Sequence, residues 1–161
     1  MFEKIQMILI TILIPIGILY WYTNEKDVTI KEIFFPGVPV MHIGDIPVRV
    51  EIANSDAERT KGLSDRREFG RRVDGMLFVF PSPNYHGIWM KDMNFSIDII
   101  WINKDLTVVG IEKNVQPETY PKTFRPSEPV LYALETDIHY ADTFGISVGK
   151  KVRLPQRYLE D

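Results

Sequence analysis

The chain has 161 residues, a formal net charge of −3 and no cysteine. The lack of cysteine excludes a disulfide framework, and the negative net charge gives no argument for nucleic acid as a partner. Once an apolar N-terminal segment is set aside, enough residues remain for one domain with a hydrophobic core.

That N-terminal segment, residues 5–22, has the composition of a membrane helix. It carries no charge, contains seven Ile and three Leu, and ends in three consecutive aromatic residues. As a helix it would span roughly 27 Å, close to the ~30 Å hydrocarbon core of a bilayer. A cleaved signal peptide is the alternative, but no small-residue cleavage site follows. We therefore predict that residues 5–22 contact the lipid bilayer, within an anchor or signal-anchor over residues 1–24.

The charges that flank this segment indicate its orientation. Lys4 precedes it, whereas Glu25, Lys26 and Asp27 follow it. The positive-inside rule then favours a cytoplasmic N-terminus. We expect a single-pass protein of the cell membrane, with a tether at residues 25–37. One β-rich domain, residues 38–161, is then expected on the periplasmic or extracellular side.

The first predicted elements of the domain are a hairpin and a helix. Residues 38–43 and 46–53 are predicted to form a hairpin around Gly44-Asp45, a pair suited to a two-residue turn. Apolar and polar residues alternate from Val48 to Ile52, as in a half-buried strand. A short helix is predicted from Ser55 to Leu63. Ser55 and Glu58 form a capping box at its start, and Gly62 suits its end.

The rest of the chain is predicted to be mostly strands. A proline-rich loop, residues 117–129, precedes the fifth of them, Val130–Glu135, and a helix over Thr136–Phe144 follows that strand. The predicted strands are Met76–Phe80 (ended by Pro81 and Pro83), Ile88–Met93, Ile97–Asn103, Leu106–Glu112, Val130–Glu135 and Val152–Leu154. The sequence predicts a mainly β (β-rich α+β) fold, a small barrel or sandwich of about eight short strands with two short helices, behind an N-terminal transmembrane helix.

Several segments also resemble a known family. They are VEIANSDAERTKGLSDRR (50–67), DGMLFVFP (74–81), WMKDMNFSIDIIWI (89–102), NVQPETYP (114–121), SEPVLYALE (127–135) and FGISVGKKV (144–152). Together they resemble the domain-of-unknown-function family 192, a family of uncharacterised conserved membrane or exported proteins. The resemblance implies a small mainly β domain with no assigned activity, and it is compatible with binding of a carbohydrate or envelope ligand. The chain departs from the family pattern at Asp92, Ser96 and Lys150.

Two positions near the centre of the resemblance are candidate ligand contacts. In a strand, Trp89 and Lys91 would share one face. They could form an aromatic platform with a charged anchor for a sugar or a carboxylate. The alternative is that Trp89 packs in the core and Lys91 extends to solvent. Tyr120, on the proline loop, could cover such a site as a lid or simply hold the loop in place.

The charged candidates are Asp98, Arg59 and Arg66. Asp98 lies in an apolar run, so it needs a partner: Lys91, one of the two arginines, or backbone N–H groups. It could be a general acid or base, or a structural brace. The two arginines flank the predicted helix, where they could clamp an anion or brace loops. The three histidines are scattered, so no metal or cofactor is predicted.

Three hypotheses about function follow. The first is an exported, membrane-anchored binding domain for a cell-envelope ligand such as a glycan. The second is an assembly partner of an envelope protein. The third is an enzyme that uses Lys91 and Asp98 as an acid–base pair, although neither residue lies in a known catalytic motif. We favour binding over catalysis.

Overall fold

The computed structural model describes residues 37–155. The predicted anchor over residues 5–22 lies outside this range, as do residues 25–36 of the predicted tether. Within residues 37–155, no helix is long and apolar enough to cross a membrane.

Residues 37–155 form a mainly β structure, as predicted, with nine strands and two short helices. One 3₁₀ turn, Pro117–Thr119, interrupts the proline-rich loop. The elements are β1 (Val40–Ile43), β2 (Ile46–Ala53), α1 (Asp56–Lys61), β3 (Gly75–Asn84), β4 (Ile88–Trp89), β5 (Ile97–Ile102), β6 (Val108–Val115), β7 (Thr123–Phe124), β8 (Val130–Asp137), α2 (Tyr140–Thr143) and β9 (Val152–Arg153).

Seven strands form one curled, half-barrel sheet in the order β6-β5-β8-β3-β2-β1-β9. All neighbours are antiparallel except β2 and β3, which are parallel. The two outer strands of this order meet at one end. There the N–H of Val108 donates to the carbonyl of Lys150 (2.9 Å), and the N–H of Val152 donates to that of Leu106 (2.8 Å). The sheet therefore closes partly on itself.

Alternate residues of the central strands enter two separate hydrophobic clusters. In β8, Leu134 belongs to the first cluster and Ala133 to the second; in β5, Ile100 and Ile99 divide in the same way. This follows from the period of two along a strand. The nearly continuous apolar run that begins at Ile97 predicts a strand covered on both faces. All six residues of β5 are buried, which confirms this prediction.

The second cluster is covered by elements outside the seven-stranded sheet. Strands β4 and β7 form a separate two-stranded sheet, in which Ile88 pairs with Phe124. Helix α1 lies in the crossover between the parallel strands β2 and β3. Leu63, just after α1, and Ile88 and Phe124 from the small sheet all belong to this cluster.

The structure confirms the two local predictions at the start of the domain. Ile43 pairs with Ile46, so the loop of the β1–β2 hairpin is the predicted pair Gly44-Asp45. Helix α1 has the predicted capping box: the N–H of Glu58 donates to the Ser55 hydroxyl, and the Glu58 carboxylate accepts from the N–H of Ser55. These hydrogen bonds hold the pKa of Glu58 below its usual value.

Two predicted strand boundaries were wrong. The strand predicted over Ile88–Met93 ends at Trp89, because the next residues turn and Asp92 has a positive φ of 56°. Trp89 and Lys91 therefore do not share a strand face. Strand β3, in contrast, extends to Asn84 and does not stop at Pro81 or Pro83. Its pairing with β8 is irregular between Val79 and Asn84, and an irregular ladder accommodates prolines.

The second predicted helix and the proline loop also differ from expectation. Helix α2 begins at Tyr140, and Thr136, the first residue of the predicted helix, is a buried residue of β8. The chain turns into α2 at His139, which adopts a left-handed conformation with φ 67°. The segment predicted as a wholly irregular loop, residues 117–129, contributes strand β7.

Candidate functional site

An open cavity of about 410 Å³ lies against the second hydrophobic cluster. One wall is α1 with the loop that follows it, from Asp56 to Ser64. The opposite wall is the segment from His86 to Trp89. Phe78 of β3 and Glu135 of β8 lie between these walls. The cavity therefore combines apolar and aromatic surface with a small number of polar groups, as ligand sites usually do.

Glu135 is the unusual residue of this cavity. Its side chain belongs to the sheet face that carries Met76 and Ile99, its direct neighbours on β3 and β5. It is only 5% exposed, and this burial raises the pKa of its carboxyl to about 8. Within the described part of the chain, no group donates a hydrogen bond to the carboxyl or forms an ion pair with it. A buried carboxyl normally has such partners.

Arg59, on the α1 wall, is occupied by structural contacts. Its guanidinium donates to the carbonyls of Asn54 and Val79, the latter at 2.7 Å, and forms an ion pair with Asp56. The side chain is 15% exposed. These contacts fit the bracing role considered for Arg59, because the donors point at the backbone that flanks α1.

The two walls are tied to each other by hydrogen bonds. The Ser64 hydroxyl donates to the carbonyl of Lys91 at 2.9 Å, and the N–H of Asp65 donates to that of Asp92 at 2.7 Å. Asp92 can accept there because the chain turns immediately after β4. The loop after α1 is therefore held against the segment that carries Trp89.

Aromatic side chains dominate the opposite wall. Trp89 is 51% exposed and meets Tyr120 edge to face, with ring centroids 6.1 Å apart. The Nζ of Lys91 lies 6.0 Å from the Trp89 ring centroid. Deeper in the wall, the His86 ring stacks on Phe80 at 3.7 Å. Trp89 thus has the exposure that a stacking platform needs, and Lys91 and Tyr120 lie beside it.

The six residues predicted from the sequence do not form one cluster. Arg59 and Trp89 line the cavity, and Lys91 and Tyr120 contact Trp89. Arg66 lines a different cavity of about 390 Å³, where it forms a 2.7 Å ion pair with Glu51.

Asp98, the sixth candidate, is completely buried and satisfied by backbone groups. Its two carboxylate oxygens accept from the N–H groups of Asn114 (2.9 Å) and Ala141 (3.0 Å). This is the arrangement of a structural brace. It gives no support to the Lys91–Asp98 acid–base pair, since the Lys91 side chain is exposed next to Trp89.

Sequence reasoning missed Glu135 and the floor residue Phe78. The signal for Glu135 was present: it follows an apolar run in β8 and has the same parity as Ala133, a core residue. A charged residue at an inward position of a buried strand is a candidate functional residue. In residues 37–155, no group of three or more His, Asp or Glu side chains could hold a metal ion.

A protein-family model matches most of the described residues. The model of family DUF192, described as "Uncharacterized ACR", matches residues 40–154. The chain belongs to this family. All the residues of the cavity lie within the matched range. No curated protein matches the chain.

Two solved structures are similar to this DUF192 domain. One is a putative transcription regulator from Sinorhizobium meliloti, which is 28% identical in sequence and has a TM-score of 0.66. The match covers 73% of this chain and 92% of the regulator. The other is a protein of unknown function from Novosphingobium aromaticivorans, 29% identical, covering 78% of this chain and 97% of its own, with a TM-score of 0.69.

Proposed function

We propose that this DUF192 domain binds a small cell-envelope ligand, such as a sugar ring of a glycan, in the cavity between Trp89 and Glu135. We call it the Trp89–Glu135 cavity. The proposal includes the membrane anchor at residues 5–22 and an exported position for the domain. The observation that carries it is the Glu135 carboxyl, buried beside an open cavity and without a partner in the described part of the chain.

The size and the surface of the cavity suit a ligand of this kind. Its volume of about 410 Å³ lies in the range of small-molecule sites, roughly 300–1,000 Å³. The half-exposed Trp89 offers a flat ring to the apolar face of a sugar. The Glu135 carboxyl can exchange hydrogen bonds with ring hydroxyls. An aromatic face and a polar group in one cavity could together hold the apolar and the polar surfaces of a sugar.

The position of Glu135 is hard to explain by stability alone. A carboxyl in a largely apolar environment without a protein hydrogen-bond partner is unfavourable, as the raised pKa of Glu135 indicates. An apolar residue would suit the second hydrophobic cluster better, since Met76 and Ile99 are the neighbours of Glu135. Residues that reduce stability at a cavity are often retained for function. A ligand that binds the carboxyl would supply its missing hydrogen bonds.

An assembly role is the second candidate, and the exposed aromatic pair favours it. Trp89 and Tyr120 are 51% and 46% exposed and contact each other, and aromatic residues are enriched at protein interfaces. Cross-linking in native membranes tests this role, because a partner protein captured through Tyr120 would support it. The net charge of −3 offers no comparable support for a nucleic-acid partner.

Calorimetry on the full-length chain tests the binding proposal. The chain is kept in a polyoxyethylene detergent, whose headgroup contains neither sugar nor amine, and titrated with oligosaccharides of envelope glycans. We expect saturable binding that weakens at least tenfold in Trp89→Ala and in Glu135→Gln. Phe144→Ala is the matched control, because Phe144 is similarly exposed (46%) but does not line the cavity. Flat titrations with every oligosaccharide would contradict the proposal.

The exported position has its own test. A reporter that is active only outside the cytoplasm, fused after Asp161, is expected to be active. Full-length chain is expected in the membrane fraction. Activity of only a cytoplasmic reporter would contradict the orientation, while leaving the cavity proposal to the calorimetry.

A further inference from the structure

We propose that the ligand presents a positively charged nitrogen to Glu135, as an amino sugar with a free ammonium group does. This inference rests on the proposed function, because it names the ligand class of the same cavity. It follows from the contacts that the charged side chains lining the Trp89–Glu135 cavity already make.

Every basic side chain of the lining already has a partner within the described residues. Arg59 contacts two carbonyls and Asp56, and Lys61 forms a 2.5 Å ion pair with Asp65. The Nε2 of His86 lies 2.8 Å from the carbonyl oxygen of Ser82. None of these side chains forms a hydrogen bond or an ion pair with Glu135. Within the lining, no basic side chain is therefore left to pair with Glu135, so a cation at this carboxyl would have to come from the ligand.

The charge balance of the cavity also favours a cation. The lining contains the titratable groups Asp56, Arg59, Lys61, His86 and Glu135. The two ion pairs, Arg59 with Asp56 and Lys61 with Asp65, cancel. The protonated Glu135 adds no charge to this lining, whereas its ionisation adds one negative charge. An anionic ligand would oppose that ionisation, and a cationic ligand would compensate the carboxylate that forms.

The aromatic surfaces of the cavity also favour a positively charged ligand. Trp89 is exposed beside the cavity, and Phe78 and Phe80 also line it. The faces of aromatic rings attract cations, and the attraction grows when the cation is desolvated. An ammonium group bound in the cavity could therefore be stabilised by aromatic rings as well as by Glu135.

Binding of such a ligand should release a proton to solvent, and this release can be measured. Burial raises the pKa of Glu135 to about 8, so the free carboxyl is protonated at pH 6. When the ammonium group binds, the carboxyl loses its proton to solvent and the carboxylate forms the ion pair. The ligand nitrogen keeps its own proton. Binding at pH 6 should then release about one proton per ligand.

Three matched tetrasaccharides provide the experiment, all β-1,4-linked and built from glucose, N-acetylglucosamine or glucosamine. Full-length chain is titrated at pH 6 in two buffers with different ionisation enthalpies, which gives the number of protons released. We expect the glucosamine oligomer to bind at least tenfold more tightly than the other two, with release of about one proton. Glu135→Gln should lose both effects. Glu112→Gln, a carboxyl of β6 outside the cavity, should keep both.

Each negative result of this experiment would contradict a different claim. If the glucose or N-acetylglucosamine oligomer binds as tightly as the glucosamine oligomer, the ammonium inference is wrong and the proposed binding function stands. If the preference for glucosamine survives in Glu135→Gln, or no proton is released, the assignment to Glu135 is wrong. If none of the three binds and the wider set of envelope oligosaccharides is also flat, the proposed function itself fails.

Discussion

Asp98 and Ala141 are 43 positions apart in the chain and are joined by a 3.0 Å hydrogen bond from the N–H of Ala141 to the Asp98 carboxylate. The second carboxylate oxygen accepts from the N–H of Asn114, a residue with a positive φ of 53°. One buried side chain of β5 thereby fixes the end of β6 and the start of α2. Hydrogen bonds of this kind to a charged acceptor are stronger than those between neutral groups.

Replacement of Asp98 by Asn should reduce the free energy of unfolding by about 1–3 kcal/mol. The Asn oxygen can accept one of the two backbone N–H groups, but its NH₂ group would face the other donor. Urea unfolding followed by tryptophan fluorescence measures the change. Asp45→Asn, at an exposed position of the β1–β2 turn, is the control and should leave the midpoint unchanged. Equal midpoints for Asp98→Asn and wild type would contradict the bracing role.

The raised pKa of Glu135 predicts how stability varies with pH. In the unfolded chain the carboxyl ionises near its ordinary pKa of 4.5, whereas in the folded chain it stays protonated up to about pH 8. Between these values the unfolded state has released its proton and the folded state has not. This group therefore lowers stability as the pH rises, by about 1.4 kcal/mol per unit and up to about 5 kcal/mol in total.

Glu135→Gln should remove this dependence. The difference in unfolding free energy between the variant and wild type should grow in favour of the variant from pH 4.5 to pH 8, and then level off. Urea unfolding of both proteins, without ligand, across this range measures it. A difference that stays constant with pH would show that Glu135 does not ionise with a raised pKa.

The buried position of Thr136 predicts that an apolar substitution there stabilises the folded protein. Its side chain is completely buried, and its hydroxyl has no hydrogen-bond partner within residues 37–155. Val has nearly the same shape without the hydroxyl, so Thr136→Val should raise the free energy of unfolding by about 1 kcal/mol. Thr136→Ser keeps the hydroxyl and removes a methyl group, and it should lower stability. A melting temperature of Thr136→Val below that of wild type would contradict this account.

Gly75 allows β3 to approach β8 closely. A Cβ atom at this position would lie 2.3 Å from the carbonyl oxygen of Glu135, so Gly75→Ala must displace one strand. We expect the variant to lose more than about 3 kcal/mol of stability or to fail to accumulate. Gly70→Ala is the control, because the nearest atom to its Cβ would be a carboxylate oxygen of Glu51 at 3.3 Å. Comparable expression and melting of the two variants would contradict the close approach.

Arg59 should behave as a brace and not as a ligand contact. Arg59→Met keeps much of the side-chain volume but removes the hydrogen bonds to Asn54 and Val79, and should lower stability by about 1–3 kcal/mol. Asp56→Ala removes only an ion pair whose acidic partner is fully exposed, so it should leave stability nearly unchanged. Chemical denaturation of the two variants compares these contributions. A larger loss in Asp56→Ala would reverse the assignment.

Local sequence signals predicted the start of the domain well. The Gly44-Asp45 turn and the Ser55–Glu58 capping box depend on a few adjacent residues, and both were correct. The continuous apolar run of β5 correctly indicated a strand covered on both faces. These features are determined by hydrogen bonds and periodicity within a short stretch of chain.

Features that depend on distant contacts were not predictable in the same way. Thr136 has the residue type of a helix cap, but pairing of β8 with β3 and β5 keeps it in a strand. Residues 88–93 contain enough apolar residues to predict a strand, but the carbonyls of Lys91 and Asp92 accept hydrogen bonds from the loop after α1. Tertiary contacts override local preference at these positions.

The candidate site also contains some residues that could be identified from the sequence and others whose role depends on the fold. Trp89 was found because an aromatic residue beside a charge is visible in the sequence. Glu135 was not, because its importance depends on the cavity formed by α1 and β4 over its strand. Asp98 was correctly recognised as needing a partner, yet which of the proposed partners it uses is decided by the fold.

The walls and the floor of the Trp89–Glu135 cavity belong to different parts of the architecture. Glu135 and Phe78 are in the seven-stranded sheet, whereas the walls come from the crossover helix and the short β4 segment. Substitutions in the walls can therefore alter the shape of the cavity without disturbing strand pairing. The proposed ligand preference could thus change while the sheet stays the same.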